Sequence, residues 1–509
     1  MTLPPQPTDD LVALGKKTTV DKDLRRIGQL DKAARGIRQS HINLGYGLLF
    51  LLVVWAFAYF LTGAGGSNSI IIVAAVVGAY MAMNIGANDV ANNVGPAVGS
   101  KALTMVGALV IAAIFEAGGA MIAGGEVVST ISKSIVSPDA FADKSVFIWA
   151  MMAALLSAAL WVNLATMLGA PVSTTHSIVG GVLGAGVTAA GLSAVNWFVM
   201  LKIAASWVIS PVLGGVIAAL FLAFIKITIL YQDDKIAAAN RWVPVLVAIM
   251  AAAFSGYLVM KGLKRIWKPD AVMIGMIAGV AFVTVYLSVR VRIARTAATL
   301  ENRRRSVGEL FTVPLICAAA LLSFAHGSND VANAVGPLAA IVNTVTSGEV
   351  ASKVTLPFWV LAIGAIGISV GLLLYGPKII QVVGEKITRL NRVRAFCVAL
   401  SASITVIIAS TLGLPVSSTH IAVGAVFGVG FLREFITNRR LGIAPASSRN
   451  SATDVDLKSD RALNRWAKAR KRKLVRRRHI MTIVGAWLIT VPASALLASA
   501  LYFAIRAFV

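Results

Sequence analysis

Residues 85–96 read IGANDVANNVGP and residues 326–337 read HGSNDVANAVGP, so one Asn-Asp-Val-Ala-Asn core occurs twice, 241 positions apart. Each copy closes a long apolar run. The reading of this stretch decides the fold, because an ionised Asp at the centre of a membrane helix costs about 2.5–3.5 kcal/mol on insertion scales and so faces the bundle interior or an ion path. The chain around it is that of a membrane protein: 57% of its 509 residues are hydrophobic, 14% are charged and the mean hydropathy is +0.80. Runs of roughly 20 apolar residues, the length a helix needs to cross a bilayer, recur from 45–62 to 481–505. They are rich in Ala, Leu, Ile and Gly and lack the alternation of barrel strands, so the spans read as helices. The polar start MTLPPQPTDD gives no sign of a cleavable leader. Cys317 and Cys397 are far apart and form no metal or disulfide signature.

The formal charge of +25 is concentrated in three places: of 47 Lys and Arg, eight lie in 1–41, six in 290–305 and fifteen in 433–478. Basic loops beside spans mark the cytoplasmic side, a reading that leaves no call for a nucleic-acid partner and adds contact with anionic membrane lipid. The N terminus is then cytoplasmic. The run leading into the first motif copy starts outside, whereas the run leading into the second follows the basic loop 290–305 and starts inside. A motif carried twice with opposite topology is the pattern of inverted-repeat secondary transporters, whose site lies near the midplane where the repeats meet. The bases of KGLKRIWK at 261–268 run against this count.

A second element repeats in the same order: LGAPVSTTHSIVGGVLGAG at 168–186 and LGLPVSSTHIAVGAVFGVG at 412–430, offset by 244. Pro171 and Pro415 lack an amide hydrogen and disfavour helix in the preceding residue, so each run is expected to fold back as a hairpin of two half-helices. Ser173, Thr174 and Thr175, and likewise Ser417, Ser418 and Thr419, then sit at half-helix N termini. There, free amides and about half a positive charge from the macrodipole favour an anion. Singly, such hydroxyls would read as helix caps; duplicated beside the acidic motif, they read as oxyanion-binding tips. His176 and His420 follow, either as hydrogen-bonding neighbours of the site or as a proton relay.

Asp89 and Asp330 call for a cation. Asn88, Asn92, Asn329 and Asn333 offer amide oxygens beside them, and Gly86, Gly95, Gly327 and Gly336 with Pro96 and Pro337 are expected to interrupt the helix and free main-chain carbonyls. Such a set suits a hard cation such as Na⁺; protonation is the other way to remove the charge. Glu116, in IAAIFEAGGAMIAGG, is a further buried acid, read as a coupling-ion or gating residue, with small residues after it for close helix approach. Its counterpart stretch, VLAIGAIGISVGLLLYG, has no acid.

These motif pairs, with SWVISPVLGG at 206–215, make the chain from about residue 70 to 432 similar to the inorganic phosphate transporter (Pit) family, which includes related sulfate permeases. The resemblance implies an all-α polytopic membrane protein, an inverted-topology repeat secondary transporter with two proline-broken helical hairpins. Its expected parts are a basic segment 1–44, an additional helix 45–62 and a first repeat 70–230 with a hairpin at 146–190. Connecting helices and a basic loop at 231–305 follow, then a second repeat 306–432 with a hairpin at 395–432, a basic linker 433–479 and a final helix 480–509. The implied activity is import of inorganic phosphate, as such or as a metal-phosphate complex, or of a related oxyanion, by symport with Na⁺ or H⁺ and alternating access. It implies no enzyme activity and no cofactor, and a multi-pass homodimer in a bacterial inner membrane. By the same resemblance Asp89 and Asp330 match the family's essential aspartates, where Na⁺ or a proton is the candidate coupling ion, Glu116 matches the glutamate of its IFE segment, and residues 173–175 and 417–419 match its phosphate-contacting tips.

Overall fold

The computed structural model describes residues 19–63, 65–141, 143–168, 172–262, 269–347, 356–382, 390–440 and 477–508. Pro171, the bases at 263–268, residues 1–18 and residues 441–476 of the basic linker lie outside the described residues. The chain divides into two units, 1–50 and 51–509. What is described of the first is the opening part of helix α1, Thr19–Thr62.

The second unit is helical among its described residues, with an isolated antiparallel bridge between Val136 and Val195. Its helices are α2 Gly66–Asn88, α3 Ala91–Gly99, α4 Met105–Ala123, α5 Lys144–Leu168, α6 Thr174–Ala190 and α7 Trp197–Ile225. Then come α8 Lys235–Tyr257, α9 Ala271–Ala297, α10 Thr312–Ser347, α11 Phe358–Val382, α12 Arg392–Thr411, α13 Ser418–Arg440 and α14 Arg477–Phe508. Twelve helices among the described residues are long and apolar enough to cross a membrane. Helix suits these runs because a bilayer offers the backbone no hydrogen-bond partners, so each segment must satisfy its own amides and carbonyls. Burial separates the helices by role. Along α9, Val272, Met276, Val280, Val283, Leu287 and Val291 are exposed, an apolar stripe for acyl chains, whereas α10 is buried from Leu321 through Thr344 and carries the second motif through the centre.

Glycines set how closely the central helices cross. A Cβ on Gly86 of α2 would lie 1.9 Å from the Ile368 carbonyl oxygen of α11, and one on Gly371 would lie 1.9 Å from that of Met83. The α4–α10 crossing repeats this, with Gly327 at 2.1 Å from the Glu116 oxygen and Gly119 at 2.0 Å from the Phe324 oxygen. The expectation that glycine and proline interrupt both motif helices is therefore corrected, since Gly86, Gly95, Pro96, Gly327, Gly336 and Pro337 all lie inside helices. The first copy does break, at Asp89–Val90 between α2 and α3, while α10 runs unbroken through Gly327, Gly336 and Pro337. Gly86 and Gly327 serve backbone approach between helices, which small residues permit in lipid.

Both expected hairpins form, α5–α6 and α12–α13. Each is clasped by a helix from elsewhere in the chain. On α13, Gly424 and Gly428 meet the carbonyls of Pro211 and Gly215 in α7; on α6, Gly180 and Gly184 meet those of Val491 and Ala495 in α14. The final helix thus stands to the first hairpin as α7 stands to the second, and the sequence agrees, since SWVISP at 206–211 has a counterpart in AWLITVP at 486–492. The two halves are interleaved rather than side by side.

Candidate functional site

Both hairpin tips meet both Asn-Asp motifs in one buried place. Ser173 caps α6 by accepting the His176 amide at 3.1 Å, and Ser417 accepts that of His420 at 3.4 Å, so these two serines have the capping role that their position invites. The next hydroxyls point to the motifs. Thr174 donates to Asp89 Oδ2 at 2.7 Å, and its counterpart Ser418 donates to Asp330 Oδ2 at 3.3 Å. Thr419 donates to Asp89 Oδ1 at 3.1 Å, and Thr175 donates to the Val416 carbonyl of the opposite tip at 3.0 Å. Asp89 and Asp330 thus each accept from a tip hydroxyl.

The asparagines divide into two pairs. Asn92 donates to Thr419 at 2.9 Å, and Asn333 donates to Thr174 and Thr175 at 3.2 Å each, so each reaches the hairpin of the other half. Asn88 and Asn329 instead anchor their own hairpins: Asn88 donates to Thr166 at 3.2 Å, and Asn329 donates to Ser410 at 2.9 Å and to the Leu414 carbonyl at 3.1 Å while accepting the Val416 amide at 3.2 Å. His176 and His420 lie with ring centroids 4.6 Å apart, edge to face, and Trp207 of α7 stands 3.9 Å from the His176 ring while donating to the Pro415 carbonyl at 3.1 Å.

Glu116 is not beside Asp89. It faces His326 of α10, whose Nδ1 lies 2.7 Å from Glu116 Oε2 and whose Nε2 lies 2.8 Å from Asp330 Oδ2; Asn93 donates to Glu116 Oε1 at 2.7 Å. All three acids are buried, and among the described residues no lysine or arginine pairs with them. His326 is the functional side chain that sequence reasoning passed over. A signal was present, since aligning the two motif copies sets His326 against Ile85.

The site can take a positive ion. Ligand atoms of Asp89, His326 and Asp330 lie within 4.8 Å of one another, and the buried acceptors Asp330 Oδ1, Asn333 Oδ1 and Asn93 Oδ1 have no hydrogen-bond donor. Buried acceptors without donors are costly. The candidate ligand atoms are two carboxylate oxygens and one imidazole nitrogen, and the carboxylates suit a hard cation.

Comparison with known proteins bears on this geometry. The profile of the phosphate transporter family matches residues 85–498, which reaches into α14. A Helicobacter pylori (strain J99) protein that carries the name phosphate permease is 47% identical over 526 residues, covering 95% of this chain and 98% of its own. One of Thermococcus kodakarensis under the same name is 39% identical over 365 residues, covering 71% of this chain and 89% of its own. A solved structure, that of a protein described as the sodium-dependent phosphate transporter, superposes with a TM-score of 0.75 at 34% identity, covering 87% of this chain and all of that one.

Proposed function

Since the chain belongs to the phosphate transporter family, we propose that it imports inorganic phosphate by symport with a cation, Na⁺ in the first place, through alternating access between two inverted halves. The observation that carries this reading is the use of the tip hydroxyls: of the four that follow the capping serines, three, on Thr174, Ser418 and Thr419, give their hydrogen to the two aspartates. A hydroxyl has one hydrogen to give. While the carboxylates hold it, the tips cannot offer it to an oxyanion. A cation on the carboxylates removes that claim, the hydroxyls turn toward phosphate, and the half-helix N termini add their amides and partial positive charge. Coupling is then a competition for the same hydrogens, and it is reciprocal: bound phosphate raises cation affinity by the same factor.

The structural neighbour is described as sodium-dependent, which supports Na⁺ as the coupling ion here. The basic segments at 1–41, 290–305 and 433–478 support a cytoplasmic N terminus and opposed halves, and bacterial relatives support an inner-membrane setting. Under this reading the carrier works as a homodimer and takes phosphate alone or with a divalent metal. Purified protein in liposomes, given labelled phosphate with sodium and pH gradients imposed separately and sulfate as competitor, tests the proposal. The expected result is accumulation above equilibrium under an inward sodium gradient, little affected by sulfate. Equilibration without accumulation would make the protein a channel, and displacement by sulfate would change the substrate.

A further inference from the structure

The corner where α7 gives way to α8 carries a full charge inside a membrane span. Arg241 lies six positions after Lys235, about 9 Å along the helix axis, within the apolar span Lys235–Gly262, and it is exposed. Among the described residues no carboxylate pairs with it. A charge on the lipid face of a span either stretches to water or meets an opposite charge. The Arg241 guanidinium is held in place: it lies over the Trp242 ring, 5.8 Å from the centroid, within reach of a cation–π attraction. Trp242 is in turn set edge-on against Phe224 of α7, with centroids 5.2 Å apart at 89°.

Beside this stack lies a half-open cavity of about 300 Å³, lined by Ile227, Thr228, Gln232, Ala238, Arg241 and Trp242. One wall forms where α7 runs on into the wider π-type turn Lys226–Leu230. Thr228 and Gln232 donate to the Phe224 and Ile227 carbonyls of their own segment, at 2.8 and 2.9 Å, so the charged group of the cavity is Arg241. Leu220 and Ile227 are exposed on one face of α7, and Ile249 is exposed on the face of α8 that carries Arg241. An apolar track thus leads from the guanidinium along both helices, away from the corner. The corner itself adjoins the basic segment 290–305: the Lys235 amide donates to Asn302 Oδ1 at 2.9 Å, and Asn302 donates to the Asp233 carbonyl at 2.8 Å. Of the two acids in the turn, Asp234 caps α8 by accepting the Ile236 and Ala237 amides, and Asp233 does not line the cavity.

We propose that this groove binds an anionic glycerophospholipid from the leaflet on the side of the basic segment, with its phosphodiester on Arg241 and its acyl chains along Leu220, Ile227 and Ile249. The planar guanidinium fork matches two phosphate oxygens, and a basic pocket between spans suits an anionic headgroup. Inorganic phosphate shares that charge but would leave the apolar track bare, so the lipid is the occupant. The groove shares no residue with the hairpin tips, and the proposal is independent of the coupling ion and of transport.

The test uses the full chain in detergent with a phosphatidylglycerol carrying a photoactivatable diazirine in its acyl chain, the label being mapped by peptide mass spectrometry. Label is expected in the segments 220–227 and 241–249. Unlabelled phosphatidylglycerol should displace it, whereas phosphatidylcholine and inorganic phosphate should not. Arg241→Ala should weaken apparent lipid affinity at these segments about tenfold or more, as loss of a hydrogen bond to a charged group does. Label on the exposed apolar stripe of α9 should stay constant and reports that the variant is folded. Arg241→Lys, which keeps the charge without the fork, should fall between. An arginine that merely reaches for water predicts labelling indifferent to Arg241→Ala, and that result would overturn the proposal. Equal displacement by phosphatidylcholine would do the same by removing the headgroup preference, and displacement by inorganic phosphate would make the groove an ion site and not a lipid site.

Discussion

The α2–α3 segment and helix α10 carry nearly the same residues and solve different problems. In the first copy the helix ends at Asn88 and restarts at Ala91, with Asn92 and Asn93 amides bonding to Asp89 and Val90 carbonyls in tight turns. Asn92 then meets Thr419 across the site and Asn93 meets Glu116. In the second copy the helix is continuous, so His326 and Asp330 stand one turn apart, in contact with each other. The two motif copies thus share glycine crossings that match to within a few tenths of an ångström, and the site departs from symmetry in its side chains: at Glu116 and His326, and at the tips, where Thr419 bonds Asp89 but Thr175 bonds the Val416 carbonyl. The lesson is that backbone approach and chemistry are separable: four carbonyl-to-glycine contacts fix where the motifs lie, and a few polar substitutions decide what each aspartate can do.

Three experiments would break or sharpen this comparison. The largest effect is expected from removing one member of the buried pair. Glu116→Ile alone should destabilise the protein by about 3–5 kcal/mol by leaving His326 without its partner, and adding His326→Ile should restore much of that loss; unfolding in mixed micelles measures both, and a strictly additive double variant would deny the pairing. Next come the crossings. Gly86→Ala and Gly327→Ala should each cost about 1–3 kcal/mol through overpacking against a carbonyl oxygen, and the two costs should be close to one another because the contacts are. A large effect in one half with none in the other would mean the scaffold is not symmetric. The smallest effect belongs to the hairpin anchors. Thr166→Val and Ser410→Ala remove equivalent bonds from Asn88 and Asn329, and each should lower stability by about 0.6 kcal/mol, the average for hydrogen bonds between membrane helices. Asn329, with two further bonds to Leu414 and Val416 at its tip, should tolerate its loss better.

Much of this was legible in the sequence for identifiable reasons. The apolar runs announce membrane helices by length. The repeated Asn-Asp and proline-led stretches announce hairpins facing buried acids, because burying an aspartate twice demands a shared polar centre. What escaped was long-range. Glu116 and His326 are 210 residues apart, on helices whose mutual approach depends on glycines that read equally well as helix breakers, a reading that holds at none of them, since Gly86, Gly95, Gly327 and Gly336 all lie inside helices. The role of α14 was hidden because its likeness to α7 is confined to a few residues and lies beyond the basic linker. Ser173 and Ser417 cap their helices as acceptors, a role that a hydroxyl, which also carries a hydrogen to donate, can fill alongside the oxyanion contact expected of them.

The exchange of clasping helices between the halves has a consequence for biosynthesis. The first hairpin is complete once α6 leaves the ribosome, yet its clasp, α14, is made some three hundred residues later: the Thr188 hydroxyl bonds to Ser499, 311 residues further on, at 2.7 Å. At about 5–20 residues per second, the glycine face of α6 waits roughly 15–60 s for the helix that will cover it. During that interval Gly180 and Gly184 present bare backbone to lipid or to the insertion machinery. Chains shortened from the C-terminal end should therefore reach the membrane and persist there as loosely joined, protease-sensitive intermediates, with the defect registered far from the cut, in the earliest-born hairpin.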